Sequence, residues 1–193
     1  MDTIILASGS PRRRDLLTRV KIPYKVISPN IKEDYTLNPT IEDMVKGIAR
    51  KKVEVVLDLF KSESPRWILG ADTVVEVGGQ ILGKPEGPEG AEDMLRRLSG
   101  VVHRVFTGLA LCVERSKPLE MEAVCTEVKF RPMTAEQIRF YLESGEWTGA
   151  AGAYRIQERG AFFIEWIKGS YSNVVGLPLE AFYGMLMRNS FQF

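Results

Sequence analysis

The chain of 193 residues predicts an α/β fold built on a mixed sheet. Short β-branched, apolar runs alternate along it with segments of helical period. No Pro-, Gly- or Ser-rich linker interrupts that alternation, so residues 1–193 read as one two-lobed domain. Hydrophobic residues make up 45% and charged residues 26%, enough to bury a full core.

Each element has its own reason. "TIILA" and "YKVIS" are short apolar strands. Between them "SGSPRRRDLL" opens a helix, with Ser10 as N-cap and Pro11 at the first helical position. From Thr40, Ile41, Met44, Val45, Ile48 and Ala49 recur at helical spacing. "RWILGADTVVEV" is a strand, and "VVEV-GG-QIL" a hairpin with a two-residue turn. "PEGAEDMLRRLSG" is a helix closed by Gly100. "HRVFTGLALCVE" and "EAVCTEVKFR" form a long strand pair, the second alternating at Val124, Thr126, Val128 and Phe130. Thr134 and Gln137 make a capping box ahead of "AEQIRFYLESG". "GAFFIEWIKG" reads as a strand and "LEAFYGMLMRN" as the last helix.

Composition narrows the function classes. Lys and Arg total 26 against 25 Asp and Glu, a balance without the basic excess of a nucleic-acid or membrane-surface binder. Two cysteines and one histidine, with no C-x-x-C, cannot close a usual zinc site. No apolar run approaches the ~18 residues of a membrane span, and "TIILA" is too short for a signal peptide. A reducing cytoplasm is the expected compartment.

"GGQILGKP" fits the phosphate-loop pattern at Gly78, Gly83 and Lys84, then places Pro85 where Ser or Thr would hold Mg²⁺. A phosphate loop also needs a helix directly after the lysine, and "KPEGPEG" cannot start one there. Lys84 is left as a lysine at the end of a hairpin strand. At the N-terminus, Arg12, Arg13 and Arg14 crowd the first turn of a helix, the end that the macrodipole makes unfavourable for cations. With the amides that follow Ser8-Gly9-Ser10, they suit a polyphosphate. Asp72, read as the end of an apolar strand beside Thr73, is placed for metal binding or for activating water.

In order along the whole chain, "LASGSPRR", Glu33, Lys52 in "ARKK", "GADTVV", "GKP", "LSGVVHRVFTG", "GAYRIQ" and "GSYSNVVGLPL" resemble the Maf family of nucleoside triphosphate pyrophosphatases. The resemblance implies an elongated mixed sheet flanked by helices, with a cleft between two lobes. It implies hydrolysis between the α- and β-phosphates with a divalent cation (Mg, Mn or Co), in a protein whose relatives are often homodimers. Carried over by position, Asp72 is the general base and Glu33 a second carboxylate, the two also being the metal ligands. Arg13, Lys52 and Lys84 then neutralise the triphosphate, and Ser8 and Ser10 belong to its loop. Arg12, Thr73 and Gln157 match the branch acting on dTTP and UTP rather than the one preferring 7-methyl-GTP. Arg155 and Glu158 stand where many relatives have small residues, which bears on the base-side loop. The alternatives are a 7-methyl-GTP pyrophosphatase, a nucleotide-dependent kinase that the absent phosphate loop disfavours, and a non-enzymatic regulator of septum formation.

Overall fold

The structure, a computed structural model, describes residues 2–35, 40–60 and 66–193. Its first strand, β1 (Ile4–Ala7), is buried along its full length, as a central parallel strand must be. Helix α1 (Pro11–Arg19) returns the chain to β2 (Tyr24–Val26), which pairs parallel to β1. Helix α2 (Ile41–Asp58) returns it again to β3 (Ile68–Val77), parallel to the other side of β1 with Ala7 opposite Gly70. β1 and β2 therefore end together, at the kind of position where open α/β sheets characteristically place ligand-binding loops.

β3 outruns β1 and turns back at Gly78-Gly79 into β4 (Gln80–Leu82), with Val77 opposite Gln80. Both glycines have positive φ, +58° and +79°, the conformation a two-residue hairpin turn demands. After α3 (Gly87–Leu98) come β5 (Val102–Cys112) and β6 (Glu120–Phe130), then α4 (Ala135–Glu143). β7 (Ile164–Lys168) pairs antiparallel to β6, and α5 (Tyr171–Val175) and α6 (Leu179–Arg188) close the chain. The sheet of seven strands runs β2-β1-β3-β5-β6-β7 with β4 on β3, mixed in direction as the sequence predicts.

The chain divides into two compact units, one of residues 1–72, 107–124 and 176–193, the other of 73–106 and 125–175. In the first, α2 lies on β1, β3 and β5 over a core of Ile5, Ala7, Ala49, Val53, Val56, Ile68, Ala110 and Cys112. Two strand glycines permit this approach: a Cβ on Gly70 would meet the Ala49 carbonyl oxygen at 2.3 Å, and one on Gly108 the Val45 carbonyl carbon at 2.3 Å. In the second, α3 packs on α4 and on the 3-10 turn Ala151–Ala153.

Some expectations need correction. Asp72 is not at a strand end but in the middle of β3, because the β-branched run Thr73-Val74-Val75 carries the strand on. "GAFFIEWIKG" is strand only in its second half; Arg159–Phe163 is a 3-10 helix. β6 ends at Phe130, which pairs with Ile164, so no strand remains for the earlier residues to join. Ser10 is the N-cap of α1, but its side chain makes no capping bond. The short helix α5 carries no sequence signal strong enough to have been read.

Candidate active site

The first unit gathers charge where α2 meets β3. On α2 the buried positions are Met44, Val45, Ile48, Ala49, Lys52, Val53 and Val56. Lys52 thus occupies a place that the helical period assigns to the core. Gly70 and Asp72, two apart on β3, share one face of the sheet, and Ala49 and Lys52, three apart, share one face of the helix. The close contact at Gly70 therefore seats Lys52 against Asp72. Lys52 Nζ donates to Asp72 Oδ1 at 2.7 Å, to the Ala71 carbonyl oxygen at 3.2 Å, and pairs with Glu33 Oε1 at 2.7 Å. An ammonium has three protons, and these three acceptors take them all. Lys52 is thus a clamp on two carboxylates, a role beside the phosphate contact that the resemblance implies.

Glu33 comes from the irregular stretch after β2, and its other oxygen, Oε2, accepts from Tyr35 Oη at 2.9 Å. Tyr35 stays a phenol, since burial and the nearby Asp72 and Glu33 charges push its ionisation far upward. Asp72 is only 3% exposed, and its Oδ2 is buried without a hydrogen-bond partner. Burial pushes the Asp72 carboxyl up, against the pull of Lys52. An unpartnered carboxylate oxygen in the interior is costly unless something else is meant to meet it.

The loop after β1 supplies the remaining groups. Ser8 Oγ accepts from the Ser10 amide at 3.3 Å and from Arg13 Nη1 at 2.9 Å. Arg13 Nε donates to the Gly176 carbonyl oxygen at 2.7 Å. Arg13 is thus buried and braces the loop, and its burial lowers its pKa while Asp72 and Glu33 oppose that. Arg12 is half-buried and Arg14 exposed on the same turn.

The pair Glu33 and Asp72 suits a hard divalent cation. Both offer oxygen, and Asp72 Oδ2 has no other partner. Among the described residues no three His, Cys, Asp or Glu side chains converge. Two carboxylates completed by phosphate and water are the usual holding for Mg²⁺, whereas a full protein cage is not.

Thr73, Lys84 and Gln157 belong to the second unit. Lys84 follows β4 as an exposed residue, and Gly152 N donates to the Gly83 carbonyl oxygen at 3.0 Å. That bond ties the lysine's segment to the turn leading into Tyr154–Gln157. Tyr154 Oη and His103 Nε2 lie 2.9 Å apart, with Phe130 edge-on to both rings. Burial holds His103 down to about 4, so its imidazole is neutral at physiological pH. Arg155 braces the far side of the loop, donating to the Thr148 carbonyl oxygen at 3.1 Å and pairing with Glu158 at 3.4 Å. The two departures noted in the sequence thus bond to each other. Gln157 Oε1 is buried without a partner.

Sequence reasoning missed Tyr35, Gly70 and the clamp role of Lys52. A glycine inside a strand pattern and a lysine on the apolar stripe of a helix are signals that could have exposed the last two.

Residues 3–189 match the family described as Maf-like protein. The dTTP/UTP pyrophosphatase of Ruminiclostridium cellulolyticum is 42% identical, over 96% of this chain and 95% of that protein. The dTTP/UTP pyrophosphatase of Salmonella typhimurium is also 42% identical, over 96% and 92%. That of Thermococcus kodakarensis is 42% identical over 92% of each. The chain belongs to the Maf-like family.

Proposed function

We propose that this protein hydrolyses UTP and dTTP between the α- and β-phosphates, releasing the nucleoside monophosphate and pyrophosphate. The observation that carries the chemistry is the buried Asp72 carboxylate, with Oδ1 fixed by Lys52 and Oδ2 left without a partner. Asp72 Oδ2 takes a proton from water as the water oxygen bonds to the α-phosphorus. The α–β bridging oxygen departs with its electron pair as pyrophosphate. Fixing a base in one orientation is what general-base catalysis needs.

Glu33 and Asp72 would hold the divalent cation (Mg, Mn or Co), which when bound offsets phosphate charge. The other residues position and neutralise. Arg12, Ser10 and the first amides of α1 receive phosphate oxygens, and Ser8 and Arg13 keep their loop in shape. Lys84 adds a point charge to the polyphosphate. Such a division suits phosphoryl transfer, where placement and charge stabilisation dominate. Thr73 and Gln157 read the base. Gln157 presents an acceptor beside a donor, matching the N3–H and carbonyl edge of uracil or thymine. A nucleotide substrate also supports a cytoplasmic compartment.

The test is product analysis. UTP with Mg²⁺ or Mn²⁺ should give UMP and pyrophosphate; UDP with orthophosphate would overturn the mechanism. Comparing UTP, dTTP, CTP and 7-methyl-GTP by kcat/KM decides the branch, and a preference for 7-methyl-GTP would reverse it.

A further inference from the structure

We infer that Tyr35 is a positioning residue for Glu33, and that it sets how tightly the carboxylate pair takes a divalent cation. The inference rests on the reading above, in which Glu33 and Asp72 hold that cation.

Glu33 lies outside regular secondary structure, so no helix or strand orients its long side chain. Lys52 holds one oxygen, Oε1, at 2.7 Å. Tyr35 Oη on Oε2 at 2.9 Å supplies the second point, and two points on two oxygens fix the plane. The phenol suits this task, being a rigid ring with two torsions, half-buried and two residues away. The outcome is a continuous chain of bonds, Tyr35 to Glu33 to Lys52 to Asp72, in which only Asp72 Oδ2 lacks a partner.

Groups that hydrogen-bond a metal-ligating carboxylate orient it, and losing one typically weakens metal binding by about 10–100-fold. A purely structural tyrosine behaves otherwise. Its loss would lower the fraction of competent enzyme and leave the cation requirement of the remainder as it was.

The experiment is Tyr35→Phe, which removes one oxygen atom and keeps the ring. Mn²⁺ binding is measured by electron paramagnetic resonance on the full chain with α,β-methylene-UTP, so that no turnover is needed. In parallel, the Mn²⁺ dependence of UTP cleavage is followed. Expected are a Mn²⁺ dissociation constant and a half-activating concentration each raised about 10–100-fold, with kcat largely recovered at saturating Mn²⁺. An unchanged Mn²⁺ dissociation constant in Tyr35→Phe, whatever happens to kcat, overturns the role of Tyr35 and leaves the pyrophosphatase reading standing. Wild-type protein that neither binds Mn²⁺ nor releases pyrophosphate removes that reading, and this inference falls with it.

Discussion

The two compact units handle buried polarity in different ways. In the first, Arg13, Lys52 and Asp72 are buried formal charges alongside the neutral Ser8 and Thr107, and Glu33 joins them from a loop. In the second, His103, Thr126 and Asn173 are neutral, and His103 is set among the rings of Phe130 and Tyr154. Asn173 Nδ2 donates to the Val105 carbonyl oxygen at 3.0 Å and to Thr126 Oγ1 at 2.9 Å. Its buried acid Glu76 is tied locally, to Arg104 at 2.8 Å and to the amide of the turn residue Gly79 at 2.6 Å. Charges withdrawn from water must be cross-paired, so the first unit is geometrically over-determined. A buried neutral group tolerates an empty lone pair far better, as Gln157 Oε1 does. The difference accords with the roles proposed above, chemistry at Asp72 and base reading at Gln157.

The contrast breaks most readily at Asp72. Asp72→Asn keeps the shape of the side chain but cannot accept a proton, and kcat for UTP should fall about 10²–10⁴-fold with the fold intact. A variant with near-normal kcat would make Asp72 a structural strand residue.

Lys52→Met tests the over-determination directly. It leaves the Asp72 and Glu33 side chains, 4% and 20% exposed, without the cation between them. Breaking a buried pair in this way costs about 3–5 kcal/mol, readable as a lowered urea midpoint. A loss below about 1 kcal/mol would mean that the cluster is hydrated and behaves like a surface pair.

In the second unit, Gln157→Glu should leave UTP cleavage active but erode its preference over 7-methyl-GTP by roughly tenfold to hundredfold. Guanine offers two adjacent donors, which a carboxylate accepts and an amide satisfies only in part. An unchanged kcat/KM profile would remove Gln157 from base reading.

The smallest effect concerns His103, the only histidine in the chain, whose ring signals are therefore unambiguous by NMR. Its folded pKa lies near 4, below the ordinary 6.5. An unfolded chain takes up a proton below about pH 6.5 while the folded one does not. The contribution of His103 to stability is thus undiminished above that pH and falls as pH drops towards 4. A folded-state imidazole titrating near 6.5 would show that the ring reaches water and is not buried as described.

What the sequence determined was local. The hairpin at Gly78-Gly79 follows from positive φ, the starts of α2 and α4 from Thr40 and Thr134, and the failure of a phosphate loop at Lys84 from Pro85. The alternation of strands and helices fixed the class of fold for the same reason, because periodicity and turn chemistry act over a few residues. The ordered motifs also named the residues of the candidate site. Tertiary structure decided how those residues meet. That Lys52 gives all its protons to Glu33, Asp72 and Ala71 depends on a helix seated against Gly70, some twenty residues further on. Asp72 lies mid-strand because β3 runs on past the end of β1, and β7 is short because β6 stops at Phe130. The hydroxyl of Tyr35 meets one oxygen of Glu33 while Lys52, from a distant helix, meets the other. Register and burial are properties of the packed chain, and no window of a few residues contains them.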